Sequence, residues 1–246
     1  ALGGEWHVEG NLLCQDCHLQ HASEQGQELP GGPFSYLLLK NNINDLCLSC
    51  HDGAMAIGKV NVLNAATDVT LTMTGTDPDG SMPAGSGAQT GFTRDLGVDL
   101  SNDHPISFTY DDSLALTDGE LHAPSSSPHI ANRVPGTAPP AIPLENDQLQ
   151  CISCHDPHIK DSLGSDIKFL RLNRFQEVAS PTDGSFNSDR DIICLGCHDK
   201  AGWSQSAHAN SHIDVANETY TSTAAAQRDF PSGIAVWQAA CLNCHD

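Results

Sequence analysis

The sequence has few of the residues from which a soluble protein normally builds its interior. Aromatic residues make up 5% of the 246 positions, and hydrophobic residues, with glycine left out of the count, make up 39%. Glycine, proline, serine, aspartate and asparagine are spread through every segment, which predicts a loop-rich chain. We therefore expect a fold with few secondary structures, in which something other than protein side chains supplies part of the core.

Basic residues are scarce as well. The 11 lysines and arginines stand against 31 aspartates and glutamates, which gives a formal net charge of −20 at pH 7. Nucleic acids and anionic membranes are bound through basic patches, so this balance argues against both as partners. The acidity fits a soluble exported protein or, alternatively, an acidic face that attracts a cationic partner.

Long apolar runs are missing. The longest ones, such as residues 36–39, fall far short of the roughly 20 apolar residues of a membrane-spanning helix, so we predict no membrane span. The N-terminal residues ALGGEWH are compatible with the position after a signal-peptide cleavage site. We expect an exported protein that lies outside the cell or on its surface, with the periplasm as the alternative.

Cysteine is plentiful and follows one pattern. All ten cysteines fall into five Cys-x-x-Cys-His motifs, which we number one to five, at residues 14–18, 47–51, 151–155, 194–198 and 241–245. This motif is typical of covalent c-type haem attachment. The two thiols add to the two vinyl groups of a porphyrin, and the histidine that follows lies under the iron as its proximal ligand.

Other roles for paired cysteines explain this pattern less well. A disulfide framework has no reason to place histidine after the second cysteine of every pair, and only 13 of the 246 residues are histidine. Structural zinc sites use Cys-x-x-Cys pairs two at a time, and five is odd, whereas a thioredoxin-like redox motif would be single. We therefore predict five covalently attached haem c groups in one cytochrome domain that spans residues 1–246.

Five haems would also account for the scarcity of apolar side chains. We expect a stacked array of five haems as the core, with the chain wrapped around it as loops, short helices and minor β-hairpins. Folding would depend on haem attachment, as it depends on metal in small metal-binding domains. Without haem the chain would then be largely disordered.

The motifs assign the attachment residues directly. The covalent haem bonds are predicted at Cys14, Cys17, Cys47, Cys50, Cys151, Cys154, Cys194, Cys197, Cys241 and Cys244. The proximal iron ligands are predicted to be His18, His51, His155, His198 and His245. Eight histidines remain, which is enough to give every iron a second axial histidine. Because no iron then needs an open position, we predict an electron carrier with no catalytic residues.

The second axial ligand of each iron is less directly specified. The predicted distal ligands are His7, His21, His104, His158 and His208. The competing candidates are His122, His129 and His212, together with the methionines Met55, Met73 and Met82. A second histidine lowers the reduction potential of a haem relative to a methionine. The surplus of histidines favours bis-histidine ligation throughout.

His21 and His158 have the most informative positions. Each follows a proximal histidine by three residues, so on a helical turn the two side chains share one face. Axial ligands, however, lie on opposite sides of a porphyrin. His21 and His158 therefore bind another haem or none, and we predict that each is a distal ligand of a haem other than the one held by the motif beside it.

Several stretches resemble the doubled Cys-x-x-Cys-His multihaem cytochromes of metal-reducing bacteria, namely LCLSCHDG (46–53), SNDHPISF (101–108), PLENDQLQCISCHDPH (143–158) and IICLGCHDK (192–200). The N-terminal WHVEGNLLCQDCHLQH (6–21) resembles the start of outer-surface cytochromes that polymerise into extracellular nanowires. This resemblance implies that His7 and His21 are haem ligands, and that His21 completes the haem held by His245 in a neighbouring subunit. It thus implies a head-to-tail homopolymer for extracellular electron transfer, with redox proteins as further partners.

Two other functions share parts of this pattern. A soluble monomeric pentahaem shuttle, in the periplasm or on the cell surface, would carry the same motifs. A multihaem reductase is less expected, because pentahaem nitrite reductases usually carry one Cys-x-x-Cys-Lys motif with an open iron. All five motifs in this sequence end in histidine.

Overall fold

The computed structural model describes twelve segments of the chain, which are residues 43–53, 59–62, 69–72, 77–84, 95–101, 103–130, 141–157, 169–178, 186–206, 208–209, 218–228 and 230–245. Motifs two to five lie within these segments. The predicted site residues and competing candidates that lie outside them are His7, Cys14, Cys17, His18, His21, Met55, Met73, His158 and His212.

The described elements are short. Helices α1 to α5 cover Ile43–His51, Asp112–Asp118, Cys151–Cys154, Ser222–Gln227 and Val236–Ala239. Further 3-10 helices cover Ile193–Gly196, Trp203–Gln205 and Ala240–Asn243. Strands β1 to β4 cover Lys59–Val62, Val69–Thr72, Phe108–Thr109 and Gln148–Leu149. Of the helices described, none is long and apolar enough to span a membrane.

The strands form two antiparallel pairs. β1 pairs with β2 as a hairpin in which Lys59 lies opposite Thr72. β3 pairs with β4, and Phe108 lies opposite Leu149. Because motif three begins two residues after Leu149, the second pair fixes the chain that enters this motif.

Helix α2 shows how the sequence begins and ends such short elements. Asp111 precedes it in an extended conformation, and its Oδ1 accepts the backbone N–H of Leu114 at 2.8 Å. Gly119 ends the helix in the left-handed region, with φ of 78°, and donates its N–H to the Ala115 carbonyl at 2.9 Å. An aspartate N-cap and a glycine after the last turn are the standard local signals for these two ends.

The chain divides into two compact units. The N-terminal unit comprises Ala1–Gly85 and Gln89–His104, and the C-terminal unit comprises Ser86–Ala88 and Pro105–Asp246. Motif two lies in the N-terminal unit, and motifs three, four and five lie in the C-terminal unit. The prediction of a single haem domain over residues 1–246 stays a prediction.

Two small hydrophobic clusters lie in the described part of the C-terminal unit. The first cluster consists of Tyr110, Ala115, Ile130, Leu144 and Leu149. The second consists of Ala225, Phe230, Ile234 and Ala239. Cys197 of motif four packs against the first cluster, and Leu242 of motif five packs against the second. These small protein cores therefore lie directly against haem motifs.

Candidate haem-attachment sites

The four described motifs share one local fold, a single helical turn. In motif two the turn belongs to α1, which ends at His51. In motifs three, four and five the backbone N–H of the histidine donates to the carbonyl of the first cysteine, at 2.9, 2.9 and 3.1 Å respectively. Residues i, i+3 and i+4 of such a turn share one face. Both cysteines and the histidine of each motif therefore lie on the same side, as attachment to one porphyrin requires.

The cysteines and histidines of these turns are half-buried or exposed. The described cysteines are thiols and not disulfides. His155 and His245 are exposed, whereas His51 and His198 are half-buried. The turns therefore present thiols that can form thioethers and imidazoles that can reach an iron.

Motif three is held by an arginine from a later segment. Arg171 donates from Nε to the Ile152 carbonyl at 2.6 Å and from Nη1 to Asp156 Oδ2 at 2.9 Å. Its backbone N–H donates to the Cys154 carbonyl at 2.8 Å. A single residue thus fixes both ends of the turn and places a positive charge beside it.

Motif four is held on one side by an extended segment. Leu121 and His198 form an antiparallel β-bridge, and the backbone N–H of His122 donates to the Cys197 carbonyl at 2.8 Å. Tyr110, buried beneath this bridge, donates its hydroxyl to the His122 carbonyl at 2.7 Å. Burial, reinforced by the neighbouring Cys197 thiol, raises the pKa of Tyr110. The phenol therefore stays protonated and keeps this donor role.

A buried polar network holds the segment before motif four. Asp191 and Gln176 are each 1% exposed, and Gln176 Nε2 donates to Asp191 Oδ1. Asp191 Oδ2 accepts the backbone N–H of Asn187 at 2.6 Å, and Gln176 Oε1 accepts that of Ile192 at 3.0 Å. Gln176 also donates its backbone N–H to the Gln238 carbonyl at 2.8 Å. The same network thus ties the approach to motif four to helix α5, which precedes motif five.

Motif five has contacts of the same kind as motif three. Arg228 donates from Nη2 to the Leu242 carbonyl at 2.7 Å, and its guanidinium lies 5.3 Å from the centre of the Phe230 ring. Tyr220 donates its hydroxyl to Asn243 Oδ1 at 2.6 Å. Leu242 and Ile152 occupy the same position of their motifs, directly after the first cysteine. An arginine therefore binds the equivalent carbonyl in both motifs.

The thiols of the three motifs in the C-terminal unit come together. The Cys194 thiol donates to the sulfur of Cys241, which raises the pKa of Cys194 and lowers that of Cys241. Burial raises the pKa of Cys154 to about 11 and that of Cys197 to about 12. The charge of Cys154 contributes to the raised pKa of Cys197, so these two thiols also lie near each other. Motifs that are far apart in the sequence therefore meet through their haem-attachment side chains.

The predicted distal ligands within the described residues are His104 and His208. His104 belongs to the N-terminal unit, which also holds motif two, and it is exposed. His208 is exposed in a turn that follows the 3-10 helix Trp203–Gln205. Their pairing with particular haems stays a prediction.

The two described alternatives have defined surroundings. His122 is held at motif four by its backbone, and its Nδ1 lies 3.9 Å from Asp199 Oδ2. His129 packs edge-on against Phe186, with ring centres 4.8 Å apart, and its carbonyl accepts the N–H of Ile142 at 2.8 Å. Of these two histidines, His122 is the one whose backbone N–H donates directly to a residue of a haem motif.

The sequence comparison concerns the N-terminal part of the chain. Residues 7–56 match the family described as the doubled CXXCH motif. The matched residues contain motifs one and two together with His7 and His21. The doubled motif is a feature of multihaem c-type cytochromes, so it implies covalently bound haem c and favours electron transfer over catalysis. No curated protein and no solved structure matches the chain.

Several buried hydrogen-bond donors in the segments around motif four have no partner within the chain, and they bear on whether a haem fits there. Asn173 Nδ2, Arg190 Nε, Trp203 Nε1 and Ser206 Oγ are inaccessible to solvent and lack a hydrogen-bond partner. Such groups are rare in native proteins and call for an acceptor that the chain itself does not supply. A haem carries two propionate carboxylates, which are acceptors. Together with the thiols and imidazoles on one face of each turn, these donors fit a bound haem.

Proposed function

We propose that the chain is a pentahaem c-type cytochrome that transfers electrons through five closely spaced haem c groups. In this proposal a loop-rich chain wraps a stacked haem array within one domain over residues 1–246. The observation that carries the proposal is the contact between motifs four and five, in which the Cys194 thiol donates to the sulfur of Cys241. Haems attached at neighbouring thiols are neighbouring haems.

The protein contributes the arrangement of the haems and the control of their potentials. The helical turns orient the thiols and proximal histidines, and residues such as Arg171, Tyr110 and Gln176 fix the turns relative to their surroundings. Spacing, axial ligation, burial and nearby charge are the means by which a protein sets haem potentials. A chain with these features is suited to passing electrons along its length.

We assign two histidines to each iron, which leaves no position for a substrate. The proximal ligands are His18, His51, His155, His198 and His245, and the distal ligands are His7, His21, His104, His158 and His208. An iron with two strong axial ligands exchanges electrons without binding a reactant. The protein is accordingly proposed to be an electron carrier and not an enzyme.

His122 is the best-supported alternative among the distal ligands. Its backbone pairs with that of Cys197, directly beside the proximal His198. A side chain so close to the proximal ligand does not reach the opposite face of the same porphyrin. If His122 binds iron, it therefore binds a haem other than that of motif four, by the same reasoning as for His21.

We further propose that the chain forms a head-to-tail homopolymer on the cell surface or outside the cell. His21 of one subunit would bind the haem that His245 holds in the next subunit. This contact is proposed from the resemblance of WHVEGNLLCQDCHLQH (6–21) to the start of filament-forming outer-surface cytochromes. A contact between two different surfaces of the same chain propagates into a filament unless it closes into a ring.

Two alanine variants with the same motif spacing test the proposal. His21→Ala should retain five haems by intact mass, show one altered axial ligation in its absorption and EPR spectra, and fail to polymerise. His158→Ala is the matched control, because His158 also follows a proximal histidine by three residues but is assigned to a haem in its own chain. It should alter ligation and leave assembly intact, as seen by size-exclusion chromatography and negative-stain imaging.

Other outcomes would favour a different function. A single species near the monomer mass at every concentration would support a soluble shuttle in the periplasm or at the cell surface. A five-coordinate haem in the oxidised spectrum, together with rapid nitrite reduction, would support a reductase. Fewer than five haems by intact mass would contradict the pentahaem proposal itself.

A further inference from the structure

We propose that Arg190 and Asn173 bind a propionate of the haem attached at Cys194 and Cys197. The inference rests on the proposed haem c at motif four and identifies the groups of this chain that hold its carboxylate side chain. Neither residue belongs to a Cys-x-x-Cys-His motif.

Both residues are anchored to the segment that enters motif four. Asn173 forms a β-bridge with Ile192, and its carbonyl accepts the backbone N–H of Ile193 at 2.9 Å. The Arg190 carbonyl accepts the backbone N–H of Glu177 at 2.9 Å, and the Arg190 N–H donates to the Asn187 carbonyl at 3.2 Å. Since Ile193 begins the turn that carries Cys194, the backbone holds both residues close to motif four.

The side chains present buried donors that the chain leaves without an acceptor. Arg190 Nε and Asn173 Nδ2 are both inaccessible to solvent and make no hydrogen bond. A buried donor without an acceptor loses its hydration without compensation, and the loss is greatest when the group is charged, as a guanidinium always is. Two such donors beside one motif indicate a missing acceptor.

The chemistry of the two groups selects an anionic oxygen ligand. A guanidinium Nε–H and an amide NH₂ only donate hydrogen bonds, and the guanidinium charge favours a carboxylate or a phosphate. The carboxylate adjacent in the sequence, Asp191, accepts from Gln176 and Asn187 instead. A haem fixed at Cys194 and Cys197 would bring its own carboxylates to this segment.

Electrostatics points to the same ligand. The chain carries a net charge of −20, with only 11 lysines and arginines. Five haems would add ten propionates to this charge. The buried Nε of the half-buried Arg190 would therefore place positive charge next to a propionate, and charges interact more strongly where solvent is partly excluded.

Variants of Arg190 in the haem-loaded protein test the inference. Arg190→Gln should keep five haems by intact mass and low-spin spectra, while the midpoint potential of one haem falls, because loss of a nearby positive charge favours the oxidised iron. We expect at least a tenfold change in the reduction equilibrium of that haem, which is about 59 mV for one electron. The propionate bending band in the resonance Raman spectrum should shift as well. Arg190→Lys retains the charge, so it should shift this band with a smaller change in potential.

Asn173→Asp provides a second variant that does not remove the arginine. It places a carboxylate where an amide donor stood, with almost the same shape, and should also lower one potential. Lys200→Gln is the matched control: it removes one positive charge two residues after His198, but Lys200 is exposed and paired with Glu120. Solvent screens its charge, so less than a threefold change in any reduction equilibrium is expected.

The outcomes separate this inference from the proposed function. Unchanged potentials and an unchanged propionate band in Arg190→Gln and Asn173→Asp, with five haems attached, would overturn the propionate site and leave the proposed function standing. Absence of haem from motif four in the unmodified protein would overturn the proposed function. If Arg190→Gln does not fold, the midpoint potentials and the propionate bands of Arg190→Lys and Asn173→Asp provide the same test.

Discussion

At the scale of single residues, two of the six arginines of the chain hold haem motifs. Arg171 and Arg228 each donate to the carbonyl that follows the first cysteine of a motif, at 2.6 and 2.7 Å. A helix of one turn leaves most of its carbonyls without an intrahelical partner. Hydrogen bonds from charged donors are worth about 1.5–3 kcal/mol each, so these arginines stabilise turns that are too short to be stable alone.

Removing the guanidinium of Arg171 tests this role. Arg171→Gln should lower the free energy of unfolding by about 2–3 kcal/mol, because both the carbonyl contact and the pair with Asp156 are lost. The measurement is guanidinium-induced unfolding of the haem-loaded protein, followed by circular dichroism and Soret absorbance. Asp156→Asn is the control, since it removes only the partly exposed ion pair and should cost about 0.5–1 kcal/mol. An equal cost for both variants would show that the ion pair, and not the carbonyl contact, dominates.

At the scale of the element, the packing of the motif-four turn depends on the second of the two residues between its cysteines. Gly196 lies in the turn of motif four, where the other described motifs have Ser49, Ser153 and Asn243. A Cβ at Gly196 would overlap Ile142 Cδ1 and approach Phe186 Cζ to 3.3 Å. Ile142 is 1% exposed and so has little room to move. Glycine is therefore required here by packing against a distant segment.

A double substitution tests this packing. Gly196→Ala should destabilise the protein by about 1–3 kcal/mol through overpacking. Ile142→Val removes the overlapping Cδ1 methyl and alone costs about 0.5–1.5 kcal/mol. The double variant should lose less stability than the sum of the two single losses, because removing the Ile142 Cδ1 methyl leaves room for the Cβ added at residue 196. Thermal unfolding of the four proteins provides the measurement, and strict additivity would rule out the overlap.

The turn at each motif could be predicted from the sequence, and its surroundings could not. Cys-x-x-Cys-His places its three reactive residues at i, i+3 and i+4, so local spacing alone indicates a shared helical face. The pairing of His122 with Cys197, or of Arg171 with Ile152, joins residues far apart in the chain and leaves no periodic signal. Likewise, the sequence does not mark Gly196 as a packing position, because the residue that it packs against, Ile142, lies far from it in the chain. The distal ligands remain predictions for the same reason, because each depends on long-range geometry.

At the scale of the whole molecule, the described protein cores are small and adjoin the motifs. The two clusters of the C-terminal unit contain five and four buried residues, and they touch motifs four and five through Cys197 and Leu242. Cores of this size bury little apolar area compared with the conformational entropy lost on folding. The stability of the C-terminal unit is therefore expected to depend on its haems.

Serine pairs at two different motifs test this dependence. Cys194→Ser with Cys197→Ser should raise hydrogen exchange across the C-terminal unit, including residues 105–130 and 218–245, because motif four contacts both segments. Cys47→Ser with Cys50→Ser is the matched control, which also removes one haem but lies in the N-terminal unit. It should leave exchange in the C-terminal unit nearly unchanged. Equal loosening by both pairs would contradict the division into two units.

The contact between Cys194 and Cys241 has a consequence for the order of events during biogenesis. The two sulfurs belong to different motifs, 47 positions apart in the sequence, yet the thiol of one donates to the other. In an oxidising compartment, an oxidant that accepts two electrons would join these thiols as a disulfide and release two protons, so each motif would lose one attachment point. In such a compartment, haem loading would have to precede oxidation, or a reductant would have to keep the two thiols reduced. The contact that would place two haems close together in the haem-loaded protein would thus expose the haem-free chain to disulfide formation.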